Sequence, residues 1–122
     1  MTDVFNIGKD FSPDPSGRYR SDGDGSGEAF REDFLKDRVL SLEPGKKLVV
    51  ILDGGVEGYG SSFLTEGFAG MIKYGYIEGQ DLLNKLDIQF TDPDFEFYKN
   101  KIIEYIGKAK YNSKVYKLTN SK

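Results

Sequence analysis

The sequence predicts an α/β fold: a small mixed or mainly parallel sheet with helical crossovers, about three to five strands and three to four helices. Segments typical of strands alternate with segments typical of helices along the chain. One of them, residues 47–53, is a continuous apolar run typical of a central strand buried on both faces. The 122-residue length favours one domain over residues 1–107, followed by a basic extension at 108–122.

The N-terminal third predicts a strand, a long loop and a helix. Alternating apolar residues predict a short strand from Asp3 to Gly8. Residues 10–27 are rich in proline, glycine, serine and aspartate, which is typical of a loop. Ser26 is a suitable N-cap for a helix from Gly27 to about Leu42. Its apolar face is formed by Phe30, Phe34, Leu35 and Val39.

The strand at residues 47–53 leads through a glycine-rich turn, 54–60, into a second helix. Ser61 or Ser62 is expected to cap this helix, which runs to about Tyr74. Its apolar residues recur at the spacing of one helical stripe, and they are Leu64, Phe68, Met71 and Ile72.

Three glycines accompany the second helix. Gly75 stands where a C′ glycine is expected. Gly67 and Gly70 lie inside the helix and lower its intrinsic propensity by roughly 1 kcal/mol each. Their presence predicts close packing of this helix on a neighbour.

The remaining elements are shorter, apart from the last helix. Residues 80–85 predict a short helix, and Leu86 to Phe90 alternate as a half-buried strand does. Asp92 is expected to cap the last helix with Pro93 at its first position. That helix is expected to end at Gly107.

The chain has no cysteine and no histidine, and this excludes several classes of site. Disulfides, thiolate metal centres and cysteine nucleophiles are excluded, as are a Ser-His-Asp triad and an imidazole base. The sequence predicts no cofactor, no metal and no catalytic residue. No apolar run is long enough to cross a membrane and no signal peptide is visible, so a cytoplasmic location is expected.

Charge is distributed unevenly along the chain. Residues 108–122 hold five lysines and no acidic residue, so the net charge of −3 divides into −8 over residues 1–107 and +5 over the extension. An acidic body argues against a nucleic-acid partner. The extension is expected to be solvated, with contact to an acidic partner or nucleic acid as the alternative.

The loop at residues 16–28 has three interpretations. It could bind an anion through backbone N–H groups at Ser26 and Gly27, assisted by Arg18 and Arg20. It could be a calcium loop, since Asp22, Asp24, Ser26, Gly27 and Asp33 follow the spacing of an EF-hand. It could also be a polar loop that only caps a helix.

Residues 53–66 form the second candidate segment. A buried strand ends at Asp53, and a glycine-rich turn brings Ser61 and Ser62 to a helix start, where ligands and partners dock in open α/β sheets. The simpler interpretation is that both serines are only caps. A hydrolase using Asp53, Glu57 or Glu66 with a hard metal ion is a further alternative.

Two motifs resemble those of bacterial STAS-like domains, a group related to the anti-sigma-factor antagonists. One is the segment from Gly54 to Gly70, and the other combines Gly17 to Arg20 with Ser26 to Arg31. The resemblance covers most of residues 16–106 and leaves the basic extension outside.

The resemblance implies a domain that works by docking and not by catalysis. In the antagonists a partner kinase phosphorylates the second serine of an Asp-Ser-Ser-Gly-Leu motif, which corresponds to Ser62 here. This chain departs from the motif at Gly60 and Phe63. The implied partner is a protein, such as an ATP-binding kinase or a regulatory ATPase, and a homodimer is left open.

The leading hypothesis is therefore a regulatory protein-interaction module whose surface includes the turn at 54–62. Tyr59 and Phe63 would be its aromatic anchors if they are exposed, and core packing is the alternative for Phe63. Two other functions remain open. One is a sensor of nucleotides or phosphorylated small ligands, and the other is a small inhibitor protein from a mobile element.

Overall fold

Three parallel strands form one open sheet, which confirms the predicted α/β class. The computed structural model describes residues 3–119. The strands are β1 (Asp3–Asn6), β2 (Leu48–Ile51) and β3 (Leu86–Gln89), and their spatial order is β1-β2-β3. Parallel neighbours require long crossover connections, and helices fill both of them.

The sheet carries its helices on one face. Because the strand order follows the chain order, both crossovers step in the same direction, and right-handed crossovers then place their helices on the same side. Val50 faces this side, in register with Phe5 and Ile88, and all three are buried. On the other face Val4 is 55% exposed and Ile51 is half-buried, whereas Val49, the partner of Val4, is buried. The prediction of burial on both faces is therefore wrong at Ile51.

The first crossover contains helix α1, which spans residues 27–40 and has a π-helical turn at Arg31–Leu35. The predicted cap is confirmed, because the Ser26 side chain accepts a hydrogen bond of 3.1 Å from the Ala29 N–H. Upstream, β1 is shorter than predicted, since Ile7–Phe11 forms a π-helical turn. The Asn6 side chain caps that turn.

The second crossover contains helix α2 over residues 61–73, also with a π-helical turn, at Thr65–Ala69. Its N-cap is Gly60, which has no side chain to cap with. The prediction that Ser61 or Ser62 is the cap is therefore wrong, and both residues lie inside the first turn of the helix.

The end of α2 is a Schellman motif around Gly75. The Gly75 N–H donates to the Ile72 carbonyl at 3.0 Å, and the Tyr76 N–H donates to the Met71 carbonyl at 2.9 Å. Gly75 has a φ of +83°, a conformation that favours glycine. The predicted C′ glycine is therefore confirmed.

Two further helices complete the fold. Helix α3 is Gly79–Lys85 and helix α4 is Glu96–Lys108, with a 3₁₀ turn at Pro93–Phe95 before it. The Asp92 side chain caps that turn by accepting a 2.9 Å hydrogen bond from the Asp94 N–H. Among residues 3–119, no helix has the length and apolar content that a membrane span requires.

Helices α1 and α2 cross at glycines, as the glycines inside α2 predict. A Cβ atom on Gly27 would lie 2.7 Å from the Phe63 carbonyl oxygen and 2.9 Å from the Gly67 nitrogen. A Cβ atom on Gly67 would in turn lie 2.8 Å from the Phe30 ring. The two backbones are therefore close enough that only glycine fits at the crossing.

Candidate functional site

The turn at residues 53–62, here called the serine turn, lies at the carboxyl end of β2 and leads into α2. Gly60 is extended, and the Leu64 N–H closes the first helical turn on the Gly60 carbonyl at 3.2 Å. Ser61 is exposed and Ser62 is half-buried. Both hydroxyls therefore lie at the positive end of the α2 dipole, beside backbone N–H groups.

Asp53 fixes the start of the serine turn to the end of β3. Its Oδ2 atom accepts hydrogen bonds of 2.7 Å from the N–H groups of both Thr91 and Asp92. Burial alone would raise the pKa of Asp53, but these hydrogen bonds outweigh it and hold the pKa below its usual value. The carboxylate is thus engaged in joining two strand ends.

The two aromatic residues of the serine turn are buried. Phe63 has no exposed surface, and Tyr59 is 9% exposed and donates a 2.5 Å hydrogen bond to the Leu52 carbonyl. Burial also raises the pKa of the Tyr59 hydroxyl. The exposure that a role as surface anchors requires is not met, and core packing is what the structure shows for Phe63.

A shallow groove lies beside the serine turn. It has a volume of about 520 Å³ and is lined by residues 13–16, residues 57–60 and Tyr98. The proline-containing segment of the long loop therefore faces the glycine-rich part of the turn. An extended segment of a partner could lie between these two walls.

In the loop at residues 16–28, the N–H groups that begin α1 are engaged within the protein. The Gly27 N–H bonds to the Gly17 carbonyl at 2.9 Å, and the Glu28 N–H bonds to the Arg18 carbonyl at 3.0 Å. Ser26 is buried and caps α1. Arg20 forms a bidentate salt bridge with Asp33, with N–O distances of 2.8 and 2.9 Å. The Arg18 side chain is 35% exposed and lies 3.5 Å from Glu66, and the Arg20 side chain is 22% exposed.

The calcium interpretation fails for a related reason. Asp22 accepts hydrogen bonds from the backbone of Arg18 and Tyr19, and Asp33 is held by Arg20. In the described part of the chain, no group of three or more acidic side chains is placed to hold a metal ion. Glu66 lies between α1 and α2, so the carboxylates of the hydrolase alternative do not form one site either.

A buried group of charges between α1 and α2 is the feature that the sequence analysis missed. We call Glu28, Arg31, Glu32 and Glu66 the Glu–Arg cluster. Arg31 has no exposed surface and donates to the Glu66 carboxylate at 2.9 Å, to the Glu66 carbonyl at 2.7 Å and to Glu32 at 2.8 Å. The π-helical turns of both helices begin beside this contact.

The Glu66 carboxylate accepts three side-chain hydrogen bonds. It accepts hydrogen bonds from Tyr74 at 2.6 Å and from Lys73 at 3.3 Å in addition to that from Arg31. Burial alone would raise the pKa of Glu66, but these donors and the nearby positive charges outweigh it and lower the pKa. The pKa of Glu28 is also lowered, because its hydrogen bonds outweigh the effect of burial.

These shifts predict acid sensitivity. Because the pKa values of Glu28 and Glu66 are lower in the folded chain than the ordinary value of about 4.3, their stabilisation is present above that pH. It is lost progressively as the pH falls below that value and through the lowered pKa values of the folded chain. Urea unfolding measured between about pH 6 and pH 3 should show this decline. The Glu66→Gln variant should show a shallower decline, and an equally steep one would contradict the assignment.

The segment at residues 109–119, here called the tail, contacts the end of α2. The Asn112 N–H donates to the Ile72 carbonyl at 2.8 Å, and the Lys114 N–H donates to the Lys73 carbonyl at 3.1 Å. Further along, Tyr116 and Thr119 bond to Glu28. The predicted solvated extension is therefore largely exposed over the described residues, but it is attached to the body at these points. The domain boundary at residue 107 stays a prediction.

Part of this arrangement had a signal in the sequence. Glu28 and Arg31 occupy helical positions beside the apolar residues of α1, and Glu66 stands between Leu64 and Phe68 of α2. Charged residues in an apolar face indicate buried pairs. Nothing in the sequence indicates that the tail supplies partners for Glu28. In comparisons with known proteins, no family model, curated protein or solved structure matched this chain.

Proposed function

We propose that the chain is a non-catalytic regulatory module that docks a protein partner through the serine turn, and that phosphorylation of Ser62 switches this docking. The observation that carries the proposal is the pair of hydroxyls at the N-terminus of α2, one exposed and one half-buried. The motif resemblance to STAS-like domains supports the same residue and an ATP-binding kinase or regulatory ATPase as the partner.

The position of the serine turn supports docking. In open α/β sheets, ligands bind outside the carboxyl ends of the strands, in the crevice where the direction of the crossovers reverses. The three described strands have no such reversal, so the support comes from the turn at the carboxyl end of β2 and from the groove beside it. The groove between residues 13–16 and 57–60 extends the surface next to Ser61. A partner that binds at the two serines would therefore also contact this groove.

A phosphate on Ser62 suits this position physically. Its two negative charges would lie at the positive end of the α2 dipole, next to N–H groups that Gly60 does not cap. The modification would therefore leave α2 folded and change only the charge of the surface. A partner that binds the unmodified, neutral surface would be released by the phosphate. A partner that recognises the phosphate would be bound.

A docking role fits the serine turn better than turnover does. The chain has no histidine or cysteine, and within residues 3–119 neither serine hydroxyl has a hydrogen bond to a side chain that could act as a base. The nearest strand-end carboxylate, Asp53, is engaged by the backbone of Thr91 and Asp92.

The Ser62→Glu variant is expected to be as stable as the wild type or more stable, by about 0.3–1 kcal/mol, because the new charge lies at the helix N-terminus. Urea unfolding at low salt measures this difference. Glu104→Gln, an exposed change on α4, is the matched variant for an altered surface charge. Destabilisation by more than 1 kcal/mol would mean that Ser62 is too tightly packed to carry a phosphate.

Docking is tested with a photo-crosslinking amino acid placed at position 61 in cells that express the chain naturally. A specific adduct is expected from position 61 and not from position 46, which is exposed and precedes the opposite end of β2. The adduct should disappear, or a different one appear, in the Ser62→Glu chain. Equal adducts from both positions, or no change with Ser62→Glu, would contradict the proposal.

A further inference from the structure

Glu28 has no exposed surface, and most of the groups that satisfy its carboxylate come from the tail. The Tyr116 hydroxyl donates to Oε2 at 2.5 Å, and the Thr119 N–H donates to the same atom at 3.1 Å. The Thr119 hydroxyl donates to Oε1. The body of the chain contributes the Arg20 N–H at 2.9 Å, with the Arg20 guanidinium 3.8 Å away.

The ring of Tyr116 contacts the side chains of Arg31 and Tyr74 beside Glu28, and we call this pair the shelf. The Arg31 guanidinium lies 4.5 Å from the centre of the Tyr74 ring and 5.1 Å from the centre of the Tyr116 ring. The two tyrosine rings meet edge to face at 5.5 Å. Such cation–π and edge contacts select an aromatic side chain at this place. One nitrogen of Arg31, Nη2, is buried without a hydrogen-bond partner among the described residues.

The tail binds as a peptide ligand does and not as part of the core. It forms no helix or strand, and its backbone bonds to the end of α2 through Asn112 and Lys114. Chain neighbours of the two tail residues that bond to Glu28 are exposed to solvent, with Val115 79% exposed and Leu118 69% exposed. Backbone bonds plus two specific side chains are the usual elements of peptide recognition.

The first residues of the tail form a turn that connects α4 to the part that reaches Glu28. The helix ends at Lys108, Ala109 is extended, and Asn112 has a φ of +52°. The Ser113 hydroxyl donates to the Lys110 carbonyl at 2.8 Å and closes the turn. A short turn of this kind can open as a hinge, so that the same segment reaches a second molecule.

We propose that Glu28, together with the shelf of Arg31 and Tyr74, is a binding site for an extended basic peptide, and that the tail of a second copy of this chain occupies it in exchange for the chain's own tail. The tail itself shows which ligand fits. Charge favours the same occupant, since the extension carries +5 and residues 1–107 carry −8. Tyr74 and the backbone contacts of the tail lie at the end of α2 away from the serine turn, and the proposal does not depend on the proposed function.

The first test titrates a labelled peptide of residues 109–119 into full-length chains. In the wild type the attached tail competes at a high effective concentration and weakens peptide binding. The Tyr116→Phe, Thr119→Val chain has a weakened tail, so it should bind the peptide about 10-fold tighter or more, since each lost hydrogen bond to a carboxylate is worth that factor. A peptide carrying the same two substitutions is the matched control and should bind poorly.

The second test mixes two chains that complement each other. The Glu28→Gln chain keeps its tail but loses the site, whereas the Tyr116→Phe, Thr119→Val chain keeps the site but loses the tail. Sedimentation should show monomers for each chain alone and a mixed dimer for the pair, with circular dichroism confirming that both are folded. If Glu28→Gln fails to fold, Tyr74→Ala replaces it.

Two results would overturn the proposal. If the peptide binds the wild type and the tail variant equally, or binds as well with both substitutions, the tail is not an exchangeable ligand of Glu28. If the peptide binds as expected but the mixture stays monomeric, a second copy is not the occupant, and a basic segment of another protein takes its place.

Discussion

Replacing Arg31 with methionine is expected to lower the free energy of unfolding by about 3–5 kcal/mol. The substitution keeps most of the apolar volume but removes the charge that pairs with Glu66 and Glu32 inside the protein. Both glutamates would then have to stay charged with fewer donors or take up a proton. Urea unfolding at neutral pH, followed by circular dichroism, measures the loss.

Two variants separate this effect from a general sensitivity to charge loss. Lys101→Met removes the cation of an exposed ion pair with Glu104, and it should cost less than about 1 kcal/mol. Combining Arg31→Met with Glu66→Gln should cost less than the sum of the two single changes, because they share one interaction. If Arg31→Met lowered the free energy of unfolding no more than Lys101→Met does, the ion pair between Arg31 and Glu66 would contribute little to stability.

Substituting alanine for Gly27 is expected to lower the free energy of unfolding by about 1–3 kcal/mol, because the new Cβ atom would press on backbone atoms of α2 that cannot rotate away. The atoms it meets are the Phe63 carbonyl oxygen at 2.7 Å and the Gly67 nitrogen at 2.9 Å. The two helices would have to separate, and the contact between Arg31 and Glu66 would lengthen.

Gly107→Ala is the matched control for this change. A Cβ atom there would have open space around it, so the higher helix propensity of alanine should leave stability equal or raise it by up to about 1 kcal/mol. Opposite signs for the two Gly→Ala changes, measured by thermal and urea unfolding, are the expected result. Equal and small effects would mean that the helix crossing adapts to a side chain.

The order of strands and helices could be predicted because it rests on local signals. The helix cap at Ser26 and the C′ glycine at Gly75 are short-range hydrogen-bond motifs, and both are confirmed. Asp92 caps the 3₁₀ turn that precedes the last helix and not the helix itself. The cap at Gly60 was missed because two serines follow it, and serine is the commoner N-cap. Sequence preference alone does not decide which of three adjacent residues begins a helix.

Burial across the sheet was harder to predict. The run at residues 47–53 is apolar on both faces, but both crossovers place their helices on one of them, so Ile51 is only half-buried. The number of covered faces depends on strand order, which no local pattern contains. The same holds for Tyr59 and Phe63, whose burial follows from how the serine turn lies on the core.

The candidate site was predictable in position and less so in its contacts. The sequence places Ser61 and Ser62 at the start of α2, and the structure agrees. The partners of Glu28 could not be predicted, because Tyr116 and Thr119 are about ninety residues away and lie in a segment without periodicity. Long-range hydrogen bonds of this kind depend on the whole fold.

The small sheet also affects how the protein behaves at high concentration. β1 and β3 are both edge strands, and the outer backbone groups of an edge strand can pair with another molecule and begin a fibril. Here each edge is four residues long, and Asp3 and Asp87 place a charge on each. Short, charged edges offer little template for growth, so the chain is protected from edge-to-edge aggregation although Val4 is left exposed.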